Sequence, residues 1–116
     1  MKHPKIYTDC YQTAIQVFFR TKSFPKALRP ILGRKIEEAI LLCLLSIYKA
    51  SVNKKRLRID HLSTAQEALD ELRTLIQFSK DLKAINLAGF SELSNLTKEI
   101  GREIGGFLKH EKSNTP

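Results

Sequence analysis

Apolar residues fall into four stretches with helical spacing. Ile6, Tyr7, Cys10, Tyr11, Ala14, Val17 and Phe18 recur at steps that place them on one face of a helix over residues 5–21. Pro25 biases Phe24 away from helical dihedrals and suits a first helical turn, so the chain reverses there. A second helical pattern covers residues 26–52, with Pro30 either in its first turn or kinking it. Between Ala39 and Tyr48 that pattern is apolar almost all round, Ser46 being the polar break. A helix with one solvated face does not look like this, so helix 2 must be covered on more than one side. After the polar run Asn53–Asp60, the residues Leu62, Ala65, Leu69, Leu72, Ile76 and Ser79 alternate steps of three and four. That spacing is a bundle seam and predicts a third helix over 61–84, capped by Asp60 or by Ser63 with Gln66 as a capping box. Asn86 is a good N-cap for a fourth helix over 87–110, with Phe90, Leu93, Leu96, Ile100, Ile104, Phe107 and Leu108 on its apolar stripe.

The link between the third and fourth helices is short, so these two are antiparallel neighbours. From His110 onward the pattern is lost and the tail is expected to fray. No strand-like alternation and no internal repeat is present. The economical fold is all-α, a single domain over residues 1–116 forming an up-down-up-down four-helix bundle.

Composition narrows the class. With 116 residues, 42% apolar, 5 Gly and 4 Pro, the chain is a folded domain rather than a disordered or low-complexity one. The longest unbroken apolar run is Ala39–Leu45, far short of the roughly 20 residues a membrane span needs. The N-terminus carries no secretion signal, so a cytoplasmic protein is expected. Cys10 and Cys43 both sit in apolar periodic segments and read as reduced core residues.

Charge changes the picture more. The formal net charge is +8, and eleven basic against two acidic side chains fall between Arg20 and Arg58, while the remainder is nearly balanced. The excess therefore belongs to helix 2 and the loops at its ends. It makes two basic poles, Arg20, Lys22, Lys26 and Arg29 at one end, Lys54, Lys55, Arg56 and Arg58 at the other. Such a field attracts polyanions, and binding argued from it is to nucleic-acid backbone or shape, since no base-reading motif is present. A solubilising surface is the plainer alternative.

Catalytic chemistry is not legible. His3, His61 and His110 have no partners at metal-ligand spacing, and the Glu-x-x-His of di-iron bundles is absent. Carboxylates lie near cations at helical spacing, as Asp70 does to Arg73 and Glu99 to Arg102, which reads as surface pairing. The Gly101-x-x-x-Gly105-Gly106 pattern lies inside helix 4, where each Gly costs about 0.8–1 kcal/mol relative to Ala, so tight helix packing is expected around it. No enzyme, metal or cofactor is expected.

Three stretches resemble the accessory variability determinant proteins of bacterial diversity-generating retroelements. They are Phe24–Ile36 (FPKALRPILGRKI), Leu69–Ile85 (LDELRTLIQFSKDLKAI) and Glu99–Lys109 (EIGREIGGFLK). The resemblance spans Tyr7 to Lys109, within a wider four-helix-bundle family that includes proteins encoded by intervening sequences of 23S ribosomal RNA genes. It departs from the pattern at Phe107, where the family often has Trp. The resemblance implies a homopentameric barrel of four-helix protomers without catalytic activity. It also implies binding to nucleic acid and to the element's reverse transcriptase during mutagenic copying of a template RNA. On that reading Arg34 and Lys35 face the polymerase or its RNA. Leu41, Leu42 and Leu45 join Gly101, Gly105 and Gly106 in packing or assembly. The alternatives are a ribosome- or RNA-associated bundle without a polymerase partner, and a pure protein–protein scaffold.

Overall fold

A computed structural model describes residues 4–113. In chain order it has α1 (Lys5–Lys22), a π-helical turn (Arg29–Gly33), α2 (Arg34–Val52), α3 (Lys55–Asp81) and α4 (Leu87–Ser113), with no strand among the described residues. Each helix packs against its neighbour in the chain, and α4 closes back onto α1. The result is an elongated four-helix bundle with extents of 49 × 26 × 21 Å.

The core is drawn from the stripes that the periodicity identifies. Cys10, Val17, Ile40, Cys43, Ile47, Ala65, Leu69, Leu72, Ile76, Leu93, Ile100 and Ile104 are all buried, and the α3 seam is buried from Leu62 to Ser79. Buried hydroxyls cause no deficit, because Thr13, Ser79 and Thr97 donate to the carbonyls of Asp9, Leu75 and Leu93 one turn earlier, at 2.7–2.9 Å. Cys10 and Cys43 are free thiols whose sulfurs stand 4.0 Å apart between α1 and α2. Their mutual hydrogen bond and then burial raise the Cys10 thiol, which keeps it protonated and unreactive.

Three boundaries differ from expectation. First, regular α2 begins at Arg34 rather than residue 26. Residues 26–28 form turns, and Pro30 lies in the π-helical turn, where its missing N–H is no loss. Gly33 N–H donates five residues back to the Leu28 carbonyl at 3.1 Å, closing that wider turn. Second, α3 begins at Lys55, six residues before the expected start, and ends at Asp81. Asp60, Ser63 and Gln66 are therefore inside the helix, and its N-cap position is Lys54, without a side-chain cap bond. Polarity misled here, because the outward face of a first turn is as polar as a loop. Third, α4 continues through His110 to Ser113. Asn86 does cap it, its Oδ1 accepting from Gly89 N–H at 2.7 Å.

Candidate nucleic-acid interface and assembly face

The two basic poles lie at opposite ends of the long axis, but they are not loops of free cations. At the first pole, Arg20 and Lys22 belong to the last turn of α1, Lys26 to the following turn and Arg29 to the π-helical turn. Arg20 is half-buried, and its Nε donates to Glu92 Oε1 on α4 at 3.1 Å. Its side chain crosses the start of α4 where Gly89 stands: a Cβ there would meet Arg20 at 3.2 Å and Ile85 at 2.9 Å. Arg29 Nε donates to the Phe24 carbonyl at 3.0 Å. Lys22 and Lys26 are exposed and make no ion pair among the described residues. Lys22 Nζ lies 5.5 Å from the Phe19 ring centroid.

At the second pole the link between α2 and α3 is only Asn53–Lys54. Lys55, Arg56 and Arg58 are helical, in the first turn of α3. Lys54, Lys55 and Arg56 are exposed without ion pairs among the described residues, whereas Arg58 is turned inward. Its Nε donates to the carbonyls of Ala50 and Asn53 at 3.1 and 3.0 Å, and its Nη1 to Glu111 Oε1 on α4 at 3.0 Å. It satisfies carbonyls at the end of α2 and ties α3 to α4, a structural employment that its place in a charged run conceals. Arg34 and Lys35, at the start of α2, are exposed. Arg34 reaches Glu38 at 3.7 Å, an exposed helical pair of small worth.

The second feature is apolar. Tyr11, Ile15 and Phe19 on α1 are exposed, and so are Leu41, Leu42, Leu45, Tyr48 and Val52 on α2, Phe19 at 59% and Leu45 at 54%. Leu41, Leu45, Tyr48 and Val52 step by 4, 3 and 4 along the outer side of α2, a seam left exposed by the described residues of the protomer. Between the helices runs an open groove of about 330 Å³, lined by Tyr11, Ile15, Phe18, Phe19, Leu41 and Leu44. Ser46, the polar break in the apolar run, is buried, so the leucines outside it form a continuous face. In sequence the α1 half of this face shows only as the spacing Tyr11, Ile15, Phe19, of which Tyr11 falls on the apolar stripe.

The glycines of α4 divide by position. A Cβ on Gly101 would meet Leu69 of α3 at 3.3 Å, a close helix approach, but one on Gly105 or Gly106 would meet nothing within 4 Å. Those two leave an open surface beside the half-exposed Phe107, not a tight contact within the protomer. Gly89, outside the motif, is the most tightly enclosed of the α4 glycines, between Ile85 of the preceding link and the Arg20 side chain of α1.

Nothing among the described residues forms a metal-binding cluster of His, Cys, Asp and Glu. His61 lies inside α3, His110 lies near the end of α4, and His3 is outside the described residues. Asp70 and Arg73 make no ion pair, whereas Glu99 pairs with Arg102, which lowers the Glu99 carboxyl. One carboxyl cluster is unusual. Lys5 Nζ lies 2.6 Å from Asp9 Oδ2 and 2.9 Å from Glu103 Oε1, and Glu103, with a side chain 10% exposed, has a buried Oε2 that no donor reaches. No helix is long and apolar enough to cross a membrane among the described residues.

A family model described as bAvd-like matches residues 6–111. No curated protein matches the chain.

Proposed function

Because the chain belongs to the bAvd-like family across residues 6–111, an accessory family that is not catalytic, we propose that it is a non-enzymatic, nucleic-acid-binding accessory protein. It associates with a retroelement reverse transcriptase and its template RNA in mutagenic copying, and it works as a ring of protomers, five in number by family likeness.

The observation that supports nucleic-acid binding is the placement of uncommitted cations at the N-terminus of α3. Lys54, Lys55 and Arg56 surround the start of that helix, which has no acid in its first turn. A helix N-terminus carries about half a positive charge, so cations there repel it and cost a few tenths of a kcal/mol each. Their fields add to that of the exposed N–H groups, and the sum suits phosphate. Assembly rests on the α1–α2 apolar face. Its leucines and aromatics gain about 25 cal/mol per Å² on burial, and in a ring, whose protomers join head to tail through two unlike surfaces, this face supplies one side of each joint. Multiplying each weak phosphate contact around the ring raises avidity without any new contact type.

A pure scaffold is the second reading. It is favoured by the commitment of Arg20, Arg29 and Arg58 to carboxylates and carbonyls within the protomer. The test is binding of RNA and DNA duplexes across a salt series by the parent and by a triple variant with Lys54, Lys55 and Arg56 replaced by Gln. The proposal expects steep salt dependence, little sequence preference, and a flatter slope with weaker binding in the variant. Equal affinity of parent and variant at low and physiological salt removes this pole from the interface. Absence of any binding by the parent leaves the scaffold.

A further inference from the structure

The carboxyl group of Glu103 faces several charged groups. From α1 come Lys5 and Asp9, with Cys10 behind them in contact with Cys43 of α2. From α4 itself come Glu99, 4.0 Å from Lys5, and Arg102, which is paired to Glu99. His110 shares a groove with Lys5, Arg102, Glu103, Gly106 and Phe107. Lys5 bridges the two carboxyls of Asp9 and Glu103 and so holds them side by side, although one positive charge offsets only one of two negative charges. The ammonium contacts Oε1 of Glu103 and leaves Oε2 buried without a donor, the one such orphaned side-chain atom among the described residues. A buried carboxylate oxygen lacking any donor carries an uncompensated desolvation penalty. A neutral carboxyl removes that cost, because its O–H becomes a donor and Asp9, held on the same Lys5 ammonium, is the neighbouring acceptor.

We propose that Asp9 and Glu103 share one proton, held on Glu103, and that this carboxyl–carboxylate bond is a pH-sensitive clasp between α1 and α4. The bond links the N-terminal part of the helix that carries Tyr11, Ile15 and Phe19 to the last helix of the bundle. It therefore governs how firmly half of the apolar face is held, whatever the protein binds.

The direction of titration agrees. Burial, then the bond to Asp9, raises the Glu103 carboxyl above its ordinary range, while the bond from Glu103, then Lys5, lowers Asp9. The contribution of Glu103 is fully present below the ordinary glutamate range and is lost as pH rises through its raised value. That of Asp9 is present above the ordinary aspartate range and is lost as pH falls through its lowered value. The clasp is closed between the two, with one proton on the pair.

The test compares thermal unfolding across pH for the full chain and for Glu103→Gln, whose amide keeps a donor toward Asp9 at every pH. Between the ordinary glutamate range and the raised Glu103 midpoint the parent melting temperature should fall relative to Glu103→Gln by up to about 5 °C per pH unit, and above that midpoint the difference should level off. Carbon-detected NMR titration of the Glu103 carboxyl in the parent supplies a readout that needs no variant to fold. A midpoint above the ordinary glutamate value of about 4.3 is expected. A midpoint at or below that value, or parallel melting profiles for parent and variant, overturns the clasp.

Discussion

Arg58 and Glu111 join the first turn of α3 to the last turns of α4 by a bond of 3.0 Å. The same guanidinium closes two carbonyls at the end of α2. One side chain thus serves three helices at an end of the bundle where the α2–α3 link is only two residues long. Arg58→Gln should lower stability by about 1–2 kcal/mol, because it removes the charged donor shared by the Ala50 and Asn53 carbonyls and the Glu111 carboxylate. Lys54→Gln, Lys55→Gln and Arg56→Gln should each change it by less than about 0.5 kcal/mol. Urea denaturation of the four variants checks both halves. Equal stability of Arg58→Gln and the parent would return Arg58 to the set of free surface cations.

Glycine substitutions in α4 should separate by position. Gly89→Ala must push aside Ile85 and Arg20 and should cost about 1–3 kcal/mol. Gly105→Ala meets open space and should stabilise the protomer by about 0.5–1 kcal/mol through helix propensity. Thermal melts at a protein concentration low enough to hold the chain monomeric would show it. If Gly105→Ala instead weakens self-association at higher concentration, the open surface beside Phe107 is a contact between protomers.

Lys83 has φ 61° at the end of α3, where Lys83 N–H donates to the Lys80 carbonyl and Ala84 N–H to the Ser79 carbonyl. This helix-ending arrangement favours glycine, and a side chain there costs about 1 kcal/mol. Lys83→Gly should therefore raise the denaturation midpoint, by an amount equivalent to about 1 kcal/mol, without altering the denaturant slope. A lowered midpoint would mean that the lysine side chain has a stabilising contact that outweighs the backbone strain.

Self-association should fail when the apolar seam is charged. Leu45→Glu places a carboxylate at a position 54% exposed in the protomer, so the monomer should keep its helicity by circular dichroism. Its mass by light scattering should drop to that of one chain at micromolar concentration, because burying an unpaired charge in an interface costs several kcal/mol. A variant mass equal to the parent's, with the parent larger than a monomer, would move the interface off α2.

The bundle was legible in the apolar spacing, since burial at 3.6-residue periodicity is imposed by the core alone. Leu62 to Ser79 and Leu93 to Ile104 show it directly. The all-round apolar run in α2 also points to an exposed apolar face, whereas its α1 half, Ile15 and Phe19, lies in a stretch interrupted by polar residues and gives no such run. Less legible were the boundaries in charged runs. A lysine in a loop and one on the outer side of a first turn obey the same rule of staying in water, so Lys55 and Arg56 carry no mark of their helix. Arg58 differs only in three-dimensional neighbours, the carbonyls of Ala50 and Asn53 and the carboxylate of Glu111, and linear charge counting is blind to all three. The α4 glycines separate for a related reason. Spacing reports that side chains are missing but not whether a neighbour occupies the room, and within α4 Gly89 and Gly101 have one while Gly105 and Gly106 do not.

The two-residue link at Asn53–Lys54 also sets the order in which the chain gathers itself. Closing so short a connection costs little entropy, and α2 and α3 can zip along matched apolar faces from that end before distant segments arrive. Joining α1 to α4 requires nearly the whole chain to be looped, so that contact is the last to be rewarded. The hairpin of the middle two helices is accordingly expected to form early, with the contact between the outer pair closing last.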